Sequence, residues 1–491
     1  MNSQIDTTKI PIEIKQIDSK LKSAGFESFI VGGCVRDLIL NKKPKDWDIT
    51  TNAKPEEILK IFENSFYEND YGTVGVKTDS EDQSLSVVEI TPYRIESDYK
   101  DKRHPNTVIF SQKITDDLKR RDFTINSMAF NLDKGQIIDD YKGQNDLFNG
   151  LIRAVGDPDK RFREDALRML RAIRFSAELG FIIEQKTAES IAQNAELIKY
   201  VSFERIGEEF KKIIMSKNPA MAIGIAQKLN IIKYIIPIFE DSVGCVQNKE
   251  AHKYDVWEHS LKTLQHSADK NFSLEIRLAS LFHDVAKPKT KFEEGNKTTF
   301  YNHEVVGAKV TRETLKKMAF SKEIVDKVTL LVRHHMFFSD TEQITHSAVR
   351  RLIAKVGKDN IWDLINLRIC DRIGSGRPKE EPYRLRKFQS MIEEVIRDPI
   401  SVSMLKIDGN DLMKMFHMKP GPKIGLILHA LLEEVLEDPA KNEKMFLVKH
   451  SEELLKLSDE ELKKIGEKAK KTKEDKDLEE INTLRKKRFV K

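Results

Sequence analysis

The chain has little of what would place it in a membrane or an oxidising compartment. Its three cysteines, Cys34, Cys245 and Cys370, lie far apart among 491 residues. With no CxxC pair among them, a disulfide framework is excluded and a reducing compartment is expected. Long hydrophobic runs are missing too: the most apolar stretch, residues 223–239, is broken by lysines and polar residues, so no spanning helix is expected. The opening residues MNSQIDTTKIPIEIK are polar and lack the apolar centre of a secretory leader. These absences predict a cytoplasmic protein. The excess of one sign of charge is small, with a formal net charge of +5, so any contact with nucleic acid must come from local basic faces. No internal repeat is evident. What is present is length for about three or four domains, with 33% charged and 39% apolar residues, the balance of a soluble protein rich in surface helix.

The stretch at residues 29–51, FIVGGCVRDLILNKKPKDWDITT, organises the rest. An apolar run, Phe29-Ile30-Val31, is ended by Gly32-Gly33, and residues 34–40 have the spacing of a short helix. After a turn containing Pro44, Asp46-Trp47-Asp48-Ile49-Thr50 alternates polar with apolar. In a strand this puts Asp46 and Asp48 on one face and Trp47 and Ile49 on the other. Two carboxylates beside a glycine turn suit phosphoryl transfer. The glycines let backbone N–H groups approach a triphosphate, and the paired acids can hold two magnesium ions about 3.5–4 Å apart.

GGCVRD followed by KPKDWDITT resembles the signature of the class II tRNA nucleotidyltransferases, the CCA-adding enzymes, and of the related bacterial poly(A) polymerases. The resemblance continues to about residue 215 and more loosely to about 450. It implies a small mixed-sheet α/β nucleotidyltransferase head followed by an extended all-α neck, an HD-type body and a tail. The corresponding divisions are 1–145, 146–215, 216–400 and 401–450, with a charged extension at 451–491. The implied partners are tRNA, CTP and ATP, and the implied cofactor is Mg²⁺.

Within the head, residues 11–25 and 54–64 read as helices and residues 71–78 and 85–91 as strands by their β-branched content. Glu89 sits inside the last of these. A carboxylate in an apolar strand needs a partner, and it serves either as a third metal ligand, as the family places an acid on the matching strand, or as a partner of Arg94. Residues 93–111, polar, basic and containing Pro105, read as an irregular loop. By resemblance this loop participates in the switch to adenosine addition. DLKRRDFTINSMAFN, residues 117–131, is similar to the family's second signature. Its Arg120 and Arg121 suit bidentate recognition of phosphate. Asp122 and Asn126, four apart, are expected on one helix face, reaching a ribose or orienting the arginines. Residues 139–147 resemble the family's hinge between head and neck.

Residues 161–175, RFREDALRMLRAIRF, read as one helix with Glu164, Asp165 and Arg168 on a single face and Arg171 a turn further on. The trio resembles the family's E-D-x-x-R element. Arg can donate to ring acceptors while Asp accepts from an exocyclic amino group, which cytosine and adenine both carry. SFERIGEEFKKI, residues 202–213, starts with a Ser N-cap candidate; the family has a similar bracing helix, so Glu204 and Arg205 are expected to be scaffold.

Beyond residue 216 the chain reads as helical throughout. His259, then the adjacent His283-Asp284, then Asp371 resemble the HD metal-dependent phosphohydrolases. Imidazole and carboxylate suit a divalent ion such as manganese, nickel, iron or magnesium, and His303, His334 and His335 are further candidates. Residues 407–425 suggest a tight helix–turn–helix, and from Ser451 the chain turns to lysine and glutamate blocks ending in Arg485-Lys486-Lys487-Arg488. The expected activity is template-independent addition of CMP and AMP to tRNA 3′ ends by two-metal phosphoryl transfer, with an auxiliary HD phosphohydrolase. The alternatives are an A-adding or CC-adding enzyme or a poly(A) polymerase, a phosphohydrolase whose head only binds RNA, and a non-catalytic tRNA-binding scaffold.

Overall fold

Strands in the first third follow the β-branched runs. They are β1 (Ser28–Val31), β2 (Asp48–Thr51), β3 (Ser65–Tyr67), β4 (Val74–Lys77), β5 (Val87–Pro92), β6 (Arg94–Tyr99), β7 (Pro105–Phe110), β8 (Ala129–Asn131) and β9 (Gln136–Ile138). The computed structural model describes residues 5–68, 72–99, 105–247, 253–294, 297–337, 344–396 and 401–462. Seven strands form a mixed sheet in the order β3-β4-β5-β2-β1-β8-β9. Its single parallel pair, β2 with β5, sets Asp48 beside Glu89. β1 lies between β2 and β8, antiparallel to both. On one face Phe29, Val31 and Ala129 pack with Tyr93 and Leu118, and the Tyr93 hydroxyl donates to Glu27 Oε2 at 3.1 Å.

Helices α1 (Ile12–Ser23), α2 (Gly33–Ile39), α3 (Pro55–Ile61) and α4 (Ile114–Lys119) accompany the sheet. Pro55 occupies the first turn of α3, where its missing N–H costs nothing. The segment at 93–111, expected to be irregular, is an antiparallel hairpin of β6 and β7, with Tyr99 opposite Pro105. Proline is tolerated there because it opens the strand. Residues 100–104 of that segment, and Tyr71 of the expected 71–78 strand, lie outside the described residues.

The helical part begins with α5 (Gly143–Phe148), α6 (Pro158–Glu164), α7 (Leu167–Leu179), α8 (Gln185–Asn194) and α9 (Phe203–Met215). The expected single helix at 161–175 is broken at Asp165, which is extended (φ −142°, ψ 105°) and whose Oδ1 accepts from Leu167 N at 3.1 Å. An aspartate that bonds the backbone two residues ahead competes with the helix. Ser202 sits at the N-cap of α9 as expected, without a side-chain capping bond. α10 (Pro219–Lys228), α11 (Ile232–Ile235), α12 (Val256–Asp269), α13 (Leu274–Phe282), α14 (His303–Lys317) and α15 (Lys322–His334) follow. The body is not helical throughout: β10 (Lys291–Glu294) and β11 (Lys297–Phe300) pair as a hairpin just before α14.

Two compact units result, Met1–Val332 with Gly374–Gly376, and Arg333–Ile373 with Arg377–Lys491. In the second, α16 (His346–Val356), α17 (Ile361–Gly374), α18 (Tyr383–Val395), α19 (Gly409–Phe416), α20 (Pro422–Glu437) and α21 (Lys444–Leu455) pack as helices. The buried Arg350 of α16 donates from Nε to the Leu436 carbonyl at 2.9 Å and from Nη2 to Glu437 O at 3.0 Å, closing the end of α20. α19 and α20 realise the expected helix–turn–helix. The basic run at 485–488 lies outside the described residues, and among the described residues no helix is long and apolar enough to cross a membrane.

Candidate functional site

In the head, acids and arginines converge on the turn between β1 and α2. Gly32 has φ +84°, and a Cβ built there would stand 2.8 Å from Arg121 Nη1 and 3.5 Å from Asp48 Oδ2. Only glycine lets that guanidinium lie against the turn. Asp48 begins β2, and its register partner on β5 is Glu89. Asp46 precedes the strand in a bend and is exposed, so strand alternation does not place the pair as expected. Its charge nevertheless acts on Asp48. Burial first, then the Asp46 and Asp117 charges, against the opposing pull of Arg121, push the Asp48 carboxyl up to about 6. Partial withdrawal from water, then Asp48, Glu68 and Asp46, raises Glu89 to about 7. Carboxylates raised by burial and by one another's charge form a donor set that fits a hard divalent cation.

Both arginines of the second signature are anchored by Asp117, which is fully buried. Arg120 donates to its Oδ1 from Nε at 2.8 Å and from Nη2 at 2.6 Å. Arg121 reaches Oδ2 from Nη2 at 3.0 Å. Burial would raise the Asp117 carboxyl, but the two guanidiniums hold it below its usual value. Arg36 pairs with Asp37 at 2.8 Å and donates to Asn126 Oδ1 at 2.8 Å. Asn126 Nδ2 donates to Asp122 Oδ1 at 3.3 Å. Asp122 and Asn126 therefore meet as expected, but through a 3-10 turn at Thr124–Asn126 and not along a helix.

From Asp122 the network crosses to α7. Arg171 Nε donates to Asp122 Oδ2 at 2.8 Å, and Arg171 and Arg174 flank Glu209 of α9 at 4.0 and 3.0 Å. All three arginines, 36, 171 and 174, stand over the Phe175 ring, 5.4, 5.4 and 4.4 Å from its centre. Arg168 donates to Glu164 Oε2 at 2.8 Å, to Arg161 O at 3.3 Å and to Arg120 O at 3.0 Å. Asp165 does not join Arg168 on a helix face. Its carboxylate instead receives the fork of Arg205, Nη2 to Oδ2 at 2.8 Å and Nη1 to Oδ1 at 3.3 Å.

A second cluster lies in the body. His259 Nε2 and His283 Nε2 are 2.9 Å apart, and each is within 3.3 Å of Asp284 Oδ2. His303 Nε2 is 3.3 Å from Asp284 Oδ1. Two tautomers follow from the backbone: His283 Nδ1 lies 2.9 Å from Ser280 O and His303 Nδ1 2.8 Å from Phe300 O. A carbonyl only accepts, so each Nδ1 carries the proton and each Nε2 turns a lone pair inward. That arrangement fits a divalent ion held by His259, His283 and Asp284. Lys287 Nζ reaches Asp284 Oδ2 at 2.7 Å, and positive charge beside the Asp284 carboxyl holds it well below the usual range against burial. Asp371, His334 and His335 belong to the second unit, where Asp371 accepts from Arg368 at 2.7 Å.

Residues 28–153 match the family model for the poly A polymerase head domain, residues 180–242 that for the probable RNA and SrmB-binding site of polymerase A, and residues 256–373 that for the HD domain. The CCA-adding enzyme of Ligilactobacillus salivarius is 32% identical over 451 residues, 91% of this chain and 98% of that enzyme. The chain belongs to the CCA-adding enzyme family. The enzyme from Lactobacillus helveticus is 47% identical over 225 residues, which is 45% of this chain and 55% of that relative. Among solved structures, the Bacillus stearothermophilus CCA-adding enzyme in complex with CTP aligns with a TM-score of 0.67 at 25% identity, covering 91% of this chain and 98% of that one. The Thermotoga maritima enzyme complexed with tRNA shares the fold, with a TM-score of 0.54 at 20% identity over 92% and 96% of the two chains.

For a CCA-adding enzyme, four members of this constellation escaped sequence reasoning. Asp117 reads as a surface partner at i, i+3 and i+4, yet it is the buried anchor of two arginines. Arg205 and Glu209 look like the polar face of a bracing helix, and Arg174 like its exposed counterpart. Only the burial of Glu209 (4% exposed) and Asp117 (0% exposed) separates them from solvated charge pairs.

Proposed function

We propose that this chain, a CCA-adding enzyme by family, extends tRNA 3′ ends with CMP and AMP taken from CTP and ATP without a nucleic-acid template. The observation that carries the assignment of residues is the meeting of Gly32, Arg121 and Asp48 within contact distance, with Glu89 alongside. In this reading Asp46, Asp48 and Glu89 are the catalytic acids and hold Mg²⁺. When bound, the cation neutralises triphosphate charge and lowers the pKa of a coordinated hydroxyl. The backbone of Gly32 and Gly33 lies against the triphosphate. Arg36 and Arg121 bind its oxygens, already oriented by Asn126 and Asp117. Asp122, Asn126 and Arg171 tie this pocket to the neck.

Asp165 and Arg168 read the base, with Glu164 orienting Arg168. A carboxylate acceptor pairs with the exocyclic amino group of cytosine or adenine and leaves the carbonyl of uracil unmatched. Relatives that align end to end carry the name CCA-adding enzyme, which favours full CCA addition over one-nucleotide or poly(A) synthesis. The domain divisions at about 145, 215, 400 and 450, and a cytoplasmic location, belong to the same proposal. The test is incorporation on a tRNA lacking CCA, with Asp46→Ala and Asp48→Ala as controls. Products ending in CCA are expected from the parent and none from the variants; unlimited A tails, or undiminished incorporation by the variants, would overturn the reading.

The body supports a second, auxiliary activity. The inward lone pairs of His283 and His303 around Asp284 favour a divalent-metal phosphohydrolase, with His259 as a further ligand. Metal-stimulated hydrolysis of a phosphoester that survives Asp48→Ala and is lost in Asp284→Ala is the expected result. Hydrolysis that survives Asp284→Ala would refute it.

A further inference from the structure

We infer that Arg205 is a specificity-determining positioning residue that acts through Asp165, and not simply part of a brace. The inference rests on the reading of Asp165 as the base-reading acceptor. Asp165 stands at the break between α6 and α7, so no helix dictates where its carboxylate points. One tether is local: Oδ1 accepts from Leu167 N at 3.1 Å. A single tether leaves the group free to turn about that bond. Among the described residues the second oxygen is held by Arg205, whose Nη2 lies 2.8 Å away, while Nη1 reaches Oδ1 at 3.3 Å. A planar guanidinium across both oxygens fixes the carboxylate plane. The carboxylate's remaining lone pairs can accept from an incoming amino group.

Arg205 comes from α9, a helix whose remaining inward charge, Glu209, serves Arg174 and Arg171. Arg168 is fixed independently of Arg205 by Glu164, Arg161 O and Arg120 O. The two halves of the base reader are therefore held by separate devices. Removing Arg205 frees the acceptor half and leaves the donor half in place. A freed carboxylate can turn away from an amino group, so the selective partner is lost while triphosphate binding persists.

The experiment measures kcat and KM for CTP and UTP on a tRNA lacking CCA, for the parent, Arg205→Ala, Arg205→Lys and Asp165→Ala. In Arg205→Ala the CTP-to-UTP ratio of kcat/KM is expected to fall on the order of ten-fold, the loss of one charge-assisted hydrogen bond. Arg205→Lys, with one donor in place of a fork, should recover part of the ratio. Asp165→Ala should lose at least as much as Arg205→Ala, and adding Arg205→Ala to Asp165→Ala should change the ratio no further. Should Arg205→Ala fail to fold, Arg205→Gln, which keeps the stem and one donor, takes its place. An unchanged ratio in a folded Arg205 variant, or an equal loss for CTP and UTP, overturns the inference. If Asp165→Ala itself leaves the ratio unchanged, the base-reading role falls and this inference falls with it; a loss in Asp165→Ala alone removes only the role of Arg205.

Discussion

Replacing Arg171 by alanine probes the joint between head and neck most sharply. The substitution removes two contacts to Asp122 Oδ2, from Nε at 2.8 Å and Nη2 at 2.7 Å, and the stacking on Phe175. Asp122 would keep Phe123 N at 2.8 Å and Asn126 Nδ2 at 3.3 Å but lose the cation that offsets its burial. Breaking a buried pair from one side costs about 3–5 kcal/mol. Arg171 is 34% exposed while Asp122 is 8% exposed, so the lower end, about 3 kcal/mol, applies. Burial raises the Asp122 carboxyl, yet Arg171 overcomes it and holds the group below its usual value. A depressed folded-state pKa contributes stability that is present above the unfolded value, about 3.9, and disappears as pH falls through the folded one. The penalty of Arg171→Ala is thus full at pH 7 and shrinks below about pH 4. Native-state hydrogen exchange reads it directly, because the Phe123 amide donates to Asp122. Exchange there at pH 7 should accelerate on the order of a hundred-fold. An acceleration under about three-fold, or a destabilisation of equal size at pH 7 and pH 3.5, would refute the reasoning.

The head and the body make further predictions. Gly32→Ala forces φ +84° on a residue with a Cβ and drives that atom toward Arg121; a cost of about 1–2 kcal/mol in stability and a clear rise in KM for CTP are expected, and an unchanged KM would contradict the placement of Arg121. Because Asp48 and Glu89 are raised to about 6 and about 7, both must release protons to take a cation. Calorimetric Mg²⁺ binding to the head should therefore tighten as pH rises from about 5.5 to 8 with proton release, and pH-independent binding would count against these acids as ligands. Asp117→Asn should lower triphosphate affinity by at least ten-fold, on the order of one charge-assisted bond, by freeing both arginines, and equal affinity for CTP would remove their role.

How much was visible beforehand varied with the length over which a residue's partners lie. Gly32, Asp48 and Glu89 were readable because strand and turn chemistry are local. Asp46 was misplaced because the strand starts two residues later than alternation suggests, at Asp48. Glu164, Asp165 and Arg168 carried the right spacing, but Asp165 breaks the helix by bonding Leu167 N, a competition that periodicity does not register. The β6–β7 hairpin was hidden by Pro105, which stands at a strand start where its missing N–H is harmless. Lys291–Phe300 carries Gly295-Asn296 between two short runs, a two-residue hairpin-turn signal, and could have been recognised as a hairpin inside the helical body. Asp117, Arg205 and Glu209 depend on burial set by distant segments, and no local pattern distinguishes them from surface charges.

The most direct test of the central claim is a crystal grown with CTP and Mn²⁺, with the metal located by its anomalous signal. The account predicts anomalous peaks between Asp46, Asp48 and the triphosphate, with the cytosine amino group against Asp165. A bound nucleotide with no peak at those acids, or a cytosine edge facing away from Asp165 and Arg168, would contradict it.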